Sequence, residues 1–416
     1  MALLGAAGCT TPETEEADQS FGYDHQETVP ASDADIIETI GDTGILFWSP
    51  EQQLAGYRNT PEVSPARILE PAPEPYPLPA SETPIQTRSI MYGYDDGLKR
   101  FDDYMEEMNT VGALVIKDGE ILLEEYRQGN QENTTWISFS VTKSVLSMMF
   151  GAALADGHIE RLDEDITSYL PALSGTAYDG VQIEHLLHMS SGVRWDENYA
   201  DENSDVARLE RIHSEEALLE YLSRLPRVAE PGTRFNYNTA ETNLAGAVLQ
   251  AAVGKNLTEY AAESVWQGFG MEHGASWALM GEDAMEHGGC CISASLRDYG
   301  RIGMMALTNG EHAGSGGSVL ADGWMERSVQ PAESYGEYGY FWWLHGDSRF
   351  SATGIFGQHI HINPEENLVI ALQSFWPEAT GAAYSAHRRV FIDALTDAAR
   401  SATADPEACC SEGNGD

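Results

Sequence analysis

Lysine is scarce in this chain, which has only four among its 416 residues: Lys99, Lys117, Lys143 and Lys255. Lysine and arginine together number 23 against 66 aspartates and glutamates, which gives a formal net charge of -43. Because a surface this acidic repels phosphate backbones, we expect no nucleic-acid partner. The acidic residues are spread along the whole sequence, a pattern that favours solubility in salty surroundings over binding of a basic partner.

Long apolar runs are missing as well. No stretch reaches the roughly 18 consecutive apolar residues that a membrane-spanning helix needs, so such a helix is excluded, although a lipid anchor is not. The composition also excludes a wholly disordered chain, because 42% of the residues are hydrophobic and 9% are aromatic. The length is more than one comfortable core requires and fits two or three domains.

The chain opens with a short run of small apolar residues that ends at Gly8-Cys9 and is followed by polar residues. This start resembles the end of a bacterial lipoprotein signal, in which the cysteine becomes the lipidated first residue. The resemblance implies lipidation of Cys9 and a location in the bacterial cell envelope, lipid-anchored or secreted and periplasmic. A basic segment is missing and Ala6 stands where leucine is usual, so an ordinary frayed terminus stays the alternative. Residues 1–35 are interpreted as a signal remnant and an acidic tether.

Cysteine is also scarce, with five in the chain. Apart from Cys9, they form two adjacent pairs, Cys290-Cys291 and Cys409-Cys410. In a chain that leaves the cytoplasm, we expect one disulfide between the C-terminal tail and the body of the protein. Metal binding is the competing interpretation. It is disfavoured because neither pair has a Cys-x-x-Cys spacing or a histidine at a ligand interval.

Hydrophobic periodicity predicts strands towards both ends of the sequence and helices between them. Residues 111–116 and 121–127 are predicted to form a β-hairpin, because Asp118-Gly119 suits a tight turn between apolar runs. Apolar residues recur at helical spacing from 140 to 156, which predicts a buried helix that ends at Gly157. Further helices are predicted at 215–222, 242–253 and 383–401, and late strands at 338–344, 358–362 and 368–373.

This order predicts an α+β fold, in which a sheet domain is interrupted by an all-helical one. The predicted parts are an extended proline-rich arm over 36–97, a sheet domain over 98–165 and 286–402, an all-α domain over 166–285 and a C-terminal tail over 403–416. Eight prolines between residues 61 and 85 support the extended arm, because proline disfavours helix. We expect the active site in the cleft between the two domains.

Ser140-Val-Thr-Lys143 is an S-x-x-K motif at the start of the buried helix. A spacing of three places both side chains on one helix face, within reach of each other. Burial and the positive end of the helix both lower the pKa of a lysine, and a neutral amine can take the proton of a serine hydroxyl. The free N–H groups at the same helix end can hold an oxyanion. The alternative is a lysine that extends from an ordinary helix, which the apolar surroundings disfavour.

Two loop segments add candidate residues. In the segment 231–237, a Pro-Gly turn precedes Tyr237, whose phenol can relay a proton to a leaving group if it lies near the lysine. In Ser351-Ala-Thr-Gly354, small residues precede a strand, and Gly354 would let a substrate lie along the strand edge. Simple packing of Tyr237 and a plain turn or bulge at Gly354 are the alternatives.

Taken together, these segments resemble the serine β-lactamase and penicillin-binding-protein superfamily, in its class C-like branch. In closer detail the chain is similar to 6-aminohexanoate-dimer (nylon-oligomer) hydrolases and related esterases. The resemblance covers about residues 40–400 and is carried by the segments 45–52, 138–144, 235–243, 292–299 and 354–358. It implies a β-lactamase-like fold, in which an antiparallel sheet flanked by helices holds an inserted all-α domain. It also implies hydrolysis without a metal or an organic cofactor.

The resemblance implies a role for each matching residue. Ser140 would be the acylated nucleophile, Lys143 its base and Tyr237 the proton relay. The backbone N–H groups of Ser140 and Ile355 would form the oxyanion hole. Tyr199 lies where the nylon-oligomer hydrolases keep a tyrosine on a mobile loop that closes over the amide, and an exposed loop aromatic is the alternative.

Two departures from the family pattern bear on the substrate. Thr239 stands where β-lactamases have the asparagine of Tyr-x-Asn, and the Lys-Thr-Gly triad has no cationic match in residues 351–354. In the family that cation helps to hold the carboxylate of a β-lactam. A dedicated β-lactamase or cell-wall carboxypeptidase is therefore disfavoured.

The sequence thus predicts a serine hydrolase that cleaves amide or ester bonds of small substrates through an acyl-enzyme on Ser140. A short-chain carboxylesterase is the alternative among enzymes, and a non-catalytic penicillin-binding-like envelope module is the alternative outside them. An acidic loop gives a slight indication of an amine-bearing substrate; its members are Glu197, Asp201, Glu202 and Asp205. Whether the chain forms a dimer is left open.

Overall fold

The structure is a computed structural model that describes residues 31–312 and 317–403. The predicted lipidation site Cys9, most of the 1–35 tether and the tail with Cys409-Cys410 lie outside the described residues. Within the described ranges, no helix has the length and apolar character needed to cross a bilayer.

The strands are β1 (Ala66–Leu69), β2 (Met91–Tyr94), β3 (Gly97–Arg100), β4 (Thr110–Lys117), β5 (Glu120–Tyr126), β6 (Trp136–Ile137), β7 (Ala275–Ala278), β8 (Ile292–Ala294), β9 (Trp343–Leu344), β10 (Phe350–Thr353), β11 (His359–Asn363) and β12 (Leu368–Ser374). The α-helices are α1 (Asp33–Ile37), α2 (Pro50–Arg58), α3 (Thr60–Val63), α4 (Phe101–Glu107), α5 (Val141–Ala155), α6 (Ile183–Leu187), α7 (Asp205–Leu209), α8 (Glu215–Ser223), α9 (Thr239–Val253), α10 (Leu257–Ala261), α11 (Leu296–Leu307), α12 (Trp324–Ser328) and α13 (Ala382–Thr403).

The main sheet has the strand order β5-β4-β12-β11-β10-β9, and each neighbouring pair is antiparallel. The β4–β5 hairpin forms as predicted. Its turn residues Asp118 and Gly119 have φ values of 54° and 83°, the left-handed conformation that a tight hairpin needs. The α+β architecture with an antiparallel sheet flanked by helices is therefore confirmed.

Both faces of the main sheet are buried because apolar side chains alternate along its central strands. Leu114 of β4 faces the core that contains α5 and α11, whereas its neighbour Val115 faces the core built with α4 and α13. Helix α11 lies close to the sheet at Gly303, where an added Cβ would come within 2.4 Å of Val369. The first of these cores also includes the helical region, so α5 lies between the sheet and the helices.

Three predicted elements differ from the structure. The range 166–285 is not wholly helical, because β7 pairs with β1 and β8 in a second sheet. The arm 36–97 is not wholly extended, because α2 forms with Pro50 in its first turn, where proline is tolerated, and with a capping box from Ser49. The strand predicted at 338–344 is reduced to Trp343–Leu344, since the chain turns at Phe341 with a φ of 60°.

The predicted disulfide between the tail and the body is wrong. Cys290 is bonded to its neighbour Cys291, so neither sulfur of this pair is left for a tail cysteine.

Candidate active site

Ser140 lies directly before α5 and follows Phe139, whose φ of 43° is unusual for a residue other than glycine. The serine occupies the cap position of the helix, yet its side chain makes no capping hydrogen bond. Its Oγ lies 2.9 Å from Lys143 Nζ instead. The turn at Phe139 therefore directs the hydroxyl towards the amine, the arrangement that the S-x-x-K spacing predicts.

Lys143 is only 1% exposed, and within residues 31–312 and 317–403 its amine forms no ion pair. Nζ lies 2.9 Å from Ser140 Oγ, 3.2 Å from Thr239 Oγ1 and 2.7 Å from the carbonyl oxygen of Gly289. Burial lowers the pKa of Lys143 to about 8, and the nearby carboxylate of Glu197 opposes this decrease. An amine with this pKa can exchange a proton with a hydroxyl near neutral pH.

Tyr237 meets the same two residues. Lys143 Nζ lies 5.3 Å from the centre of the Tyr237 ring, and the phenol shares a hydrogen bond with Ser140. The ring stacks on Trp343 at 5.6 Å and meets the edge of Tyr338 at 6.2 Å. Burial raises the pKa of Tyr237, an effect that the hydrogen bond with Ser140 opposes. The phenol is therefore protonated near neutral pH and can act as a donor.

Thr239 and Glu197 extend this constellation, and sequence reasoning gave neither a part in proton transfer. The Thr239 N–H donates to Glu197 Oε2 at 3.0 Å, and the Thr239 hydroxyl donates to Glu197 Oε1. Because this hydroxyl donates to the carboxylate, its oxygen is free to accept from Lys143. No sequence motif marks the pair, since it joins a loop to the first turn of α9 across 42 residues.

Ser140 opens into a largely apolar cavity of about 470 Å³. Its wall comes from the N-terminal segment 40–48, from the turn before α5 and from the segment 278–291. No lysine or arginine is among the described residues that line it. The sequence lacks the cation of the Lys-Thr-Gly triad at residues 351–354. No other cationic residue in the described wall takes its place.

Glu210 and His287 are two of the titratable groups in the wall, and both add polarity to the cavity. Glu210 lines it with one carboxylate oxygen, Oε1, that is buried and has no partner, and burial raises the pKa of this residue. Burial lowers the pKa of His287 to about 4, so this imidazole is neutral near neutral pH. Glu210 is therefore the carboxylate placed to meet a bound molecule.

The predicted oxyanion-hole residues come together. Ser140 and Ile355 both line the cavity. Neither backbone N–H donates a hydrogen bond to another residue in the described part of the chain. Two unused donors beside a nucleophile are what an oxyanion requires.

Of the two residues predicted to contact substrate, one reaches the cavity. Tyr199 lines it, and its hydroxyl donates to Glu197 Oε1 at 2.7 Å. Gly354 does not line it: its N–H donates to the Gln358 carbonyl, and a Cβ at this position would come within 2.5 Å of the Ser138 carbonyl oxygen. Gly354 therefore has a packing role, because the strand end must pass close to the turn before Ser140, and its substrate contact stays a prediction.

One group of side chains has the composition of a metal site. Glu132, Glu272 and His273 come close together outside the cavity. Arginine side chains already neutralise the two carboxylates, since Arg297 lies 2.6 Å from Glu132 and Arg301 lies 2.8 Å from Glu272. We therefore interpret this group as an ion-pair network.

Comparisons with known proteins agree with this geometry. The family model described as Beta-lactamase matches residues 99–392. A 6-aminohexanoate-dimer hydrolase of Paenarthrobacter ureafaciens is 28% identical over 305 residues, which are 68% of this chain and 76% of that protein. The fold is similar to that of a structure titled "Putative 6-aminohexanoate-dimer hydrolase from Bacillus anthracis", with a TM-score of 0.75, 20% identity and coverage of 85% of this chain and 96% of that chain. It is also similar to a family VIII carboxylesterase, with a TM-score of 0.56, 15% identity and coverage of 71% and 95%.

Proposed function

Since the chain belongs to the beta-lactamase family and is a serine hydrolase, we propose that it cleaves amide or ester bonds of small molecules through an acyl-enzyme on Ser140. The observation that carries this proposal is the buried, unpaired Lys143 amine 2.9 Å from Ser140 Oγ. A charged lysine without a carboxylate partner is costly to bury, so a purely structural role does not account for it.

Acylation follows from the contacts of these groups. Neutral Lys143 takes the proton as Ser140 Oγ attacks the substrate carbonyl, and the N–H groups of Ser140 and Ile355 stabilise the oxyanion. The new ammonium is held by the Gly289 carbonyl and by the Thr239 hydroxyl. Tyr237 lies beside Ser140 and Lys143, where its phenol can pass a proton to the departing amine or alcohol.

Deacylation uses the same groups in the opposite direction. A water molecule replaces the departed group, gives its proton to the Tyr237–Lys143 pair and attacks the ester carbonyl of the acyl-enzyme. Collapse of the second oxyanion releases the acid, and the proton returns to Ser140 Oγ. In each half of the cycle the nucleophile thus gives one proton to the Tyr237–Lys143 pair, and the pair gives one proton to the group that departs, which is the amine or alcohol in acylation and Ser140 Oγ in deacylation.

The cavity supports a substrate with an apolar acid portion. No lysine or arginine lines the described wall, so a β-lactam carboxylate has no cation to meet. The acidic loop does not supply the amine-binding group, because none of its four carboxylates lines the described wall. Asp205 is paired with Arg194 at 2.7 Å, and Glu197 is engaged by Thr239. Glu210 is the carboxylate in the described wall and has one buried oxygen without a partner, so we propose that it receives the terminal amine of an ω-amino acid amide such as a 6-aminohexanoate oligomer.

A short-chain carboxylesterase is the second candidate. The Tyr199 hydroxyl is occupied by Glu197 rather than directed into open space. An ester needs no proton donor from this residue, because an alkoxide or phenolate departs more readily than an amide nitrogen. A non-catalytic module is disfavoured, since a binding protein needs no lysine of lowered pKa beside a serine.

A substrate panel tests the proposal. We expect the wild-type protein to hydrolyse p-nitrophenyl butyrate and a 6-aminohexanoate dimer with higher kcat/KM than the chromogenic β-lactam nitrocefin, and Ser140→Ala to abolish all three activities. Glu210→Gln should raise KM for the aminohexanoate dimer more than KM for the neutral ester. Higher kcat/KM on nitrocefin, or activity of Ser140→Ala within a few-fold of wild type, would refute the proposal.

A further inference from the structure

The disulfide between Cys290 and Cys291 lies in the wall of the catalytic cavity. Both residues line the same cavity as Ser140, and Cys290 is partly exposed there. Cys291 is only 7% exposed. In the described part of the chain these are the only cysteines, so no other described thiol competes for the bond.

This disulfide is adjacent in sequence to the acceptor of the catalytic lysine. The carbonyl oxygen of Gly289, the residue before Cys290, accepts the 2.7 Å hydrogen bond from Lys143 Nζ. The Cα of Gly289 packs closely against Thr242, because an added Cβ would lie 2.3 Å from Thr242 Oγ1. Its N–H donates to Asn243 Oδ1 at 2.9 Å. The position of the lysine acceptor therefore depends on the backbone of the segment 289–291.

The backbone of the pair is held in an unfavourable conformation. Cys291 has a φ of 86°, a region that residues other than glycine rarely adopt and leave when they are free to do so. Its carbonyl accepts from the Ala278 N–H at 3.1 Å, and the Cys290 carbonyl accepts from Trp277 Nε1 at 3.0 Å. The bond between the two sulfurs closes a small ring around the Cys290-Cys291 peptide, which restricts the rotations that would relax Cys291.

We propose that Cys290–Cys291 is a thiol–disulfide exchange site that opens onto the catalytic cavity and fixes the Gly289 carbonyl on Lys143. The exchange partner is a small dithiol. One thiolate of the dithiol attacks a protein sulfur and breaks the Cys290–Cys291 bond, which gives a mixed disulfide and one protein thiol. The second thiolate displaces the other protein sulfur, so the dithiol leaves oxidised to its cyclic disulfide and the protein gains two thiols with their protons.

Reduction has a defined consequence for the lysine. Once the ring is open, Cys291 can leave its positive φ and the Gly289 carbonyl can move off Lys143 Nζ. A carbonyl acceptor stabilises the ammonium form of lysine, so its loss lowers the pKa of Lys143. The acid limb of the pH–rate profile then moves to lower pH, while kcat falls because Nζ is no longer directed at Ser140. A merely structural disulfide would not move the limb.

The redox state can be read without any activity. Lys255 and Arg297 bound one tryptic peptide, 256–297, that contains Cys290 and Cys291 and no other cysteine, whereas Cys409 and Cys410 fall in the peptide after Arg400. In protein alkylated under non-reducing, denaturing conditions, we expect peptide 256–297 to be unalkylated and lighter by two hydrogens. After dithiothreitol it should carry two alkyl groups. Double alkylation before reduction would overturn the proposal.

The kinetic experiment rests on the proposed hydrolase activity. It compares the same enzyme before and after treatment with dithiothreitol. We expect kcat on p-nitrophenyl butyrate to fall by about tenfold, the loss expected for one hydrogen bond to a charged group, with the acid limb moved to lower pH. Reoxidation should restore both values. The double variant Cys290→Ser/Cys291→Ser should equal the reduced enzyme and ignore the reagent, while Cys409→Ser/Cys410→Ser should respond as the wild type does. An unchanged rate and limb on reduction would contradict the proposal.

Hydrogen exchange separates this inference from the hydrolase proposal. If the oxidised protein neither turns over substrate nor labels at Ser140, the hydrolase proposal fails, but exchange can still be measured. Reduction should speed exchange of the Gly289 and Ile292 amides, which donate to Asn243 and to Thr142 in the oxidised protein. Unchanged exchange at both amides would show that the disulfide does not hold this segment.

Discussion

At the scale of single residues, Lys143 has two opposing influences on its charge. Burial lowers its pKa to about 8, and Glu197, connected to it through Thr239, acts against that decrease. As base, Lys143 must be neutral, so kcat/KM on an ester should rise as the pH rises through about 8. A pH–rate profile of p-nitrophenyl butyrate hydrolysis measures this midpoint, and a rate independent of pH across this range would exclude Lys143 as the base.

The carboxylate of Glu197 can be removed at nearly constant shape. In Glu197→Gln, the negative charge that favours the ammonium is lost, so the pKa of Lys143 should fall and the acid limb should move to lower pH. The matched control is Glu202→Gln, an exposed residue of the same loop that should leave the limb in place. A shift to higher pH, or equal shifts in both variants, would show that Glu197 does not act on Lys143.

Tyr199 offers a test of amide chemistry. If its hydroxyl leaves Glu197 to hydrogen-bond the leaving nitrogen, Tyr199→Phe should lower amide turnover about tenfold more than ester turnover, the effect of one hydrogen bond of roughly 1.5 kcal/mol. Kinetics on an aminohexanoate dimer and on p-nitrophenyl butyrate measure the ratio. The control is Tyr169→Phe, which removes a similar Tyr–Glu bond, to Glu164, outside the cavity. Equal loss on both substrates would leave Tyr199 as a packing residue.

The residues that sequence reasoning found are those tied together by local spacing or by a motif. Ser140 and Lys143 lie three apart on one helix, so their contact follows from helix geometry alone. Gly289 was not found as a site residue, and Glu197 was noted only as a member of the acidic loop. Gly289 reaches Lys143 through a backbone carbonyl, which any residue type supplies, and Glu197 acts across 42 residues from Thr239.

At the scale of elements, the end of β10 and the turn before α5 must pass close to each other. In Gly354→Ala, the new Cβ would lie 2.5 Å from the Ser138 carbonyl oxygen, a backbone atom that cannot rotate away. We expect a loss of about 1–3 kcal/mol in the free energy of unfolding, as for overpacking elsewhere, and lower kcat because the turn carries Ser140. Gly93→Ala is the control, since nothing lies within 4 Å of its Cβ. Chemical denaturation measures both, and equal stability of the two variants would contradict this packing.

Helices and strands with a long periodic pattern of apolar residues were predicted well. Short strands were not. The hairpin β4–β5 and helix α5 combine long apolar patterns with turn or stop residues at their ends. Strand β7 has only the residues Ala275–Ala278, and its conformation is decided by its neighbours β1 and β8, which are distant in sequence. Four residues are too few to display a period, so the helical interpretation of 166–285 missed it.

At the scale of the whole molecule, the charge of -43 should make stability depend on salt. Repulsion among like charges destabilises the compact state, and added salt shortens its range from about 30 Å at 0.01 M to about 10 Å at 0.1 M. We expect the Tm to rise by at least about 3 °C over this interval. Calorimetry in sodium chloride, with sucrose of equal osmolality as control, checks it. A Tm that falls or stays constant would show that charge repulsion does not contribute significantly to the stability of the fold.

The central claim is that Ser140, activated by Lys143, forms the covalent bond to substrate. A fluorophosphonate reacts with activated serines, and the tryptic peptide 128–143 contains Ser140 together with one other serine, Ser138, so fragment-ion mass spectrometry can locate the adduct. The account predicts an adduct on Ser140 in the wild type and none on this peptide in Ser140→Ala. In Lys143→Ala, which removes the cleavage site so that the peptide extends to Arg161, labelling of Ser140 should be much slower. An adduct on Ser138 or elsewhere, or ester hydrolysis that continues with Ser140 unlabelled, would contradict it.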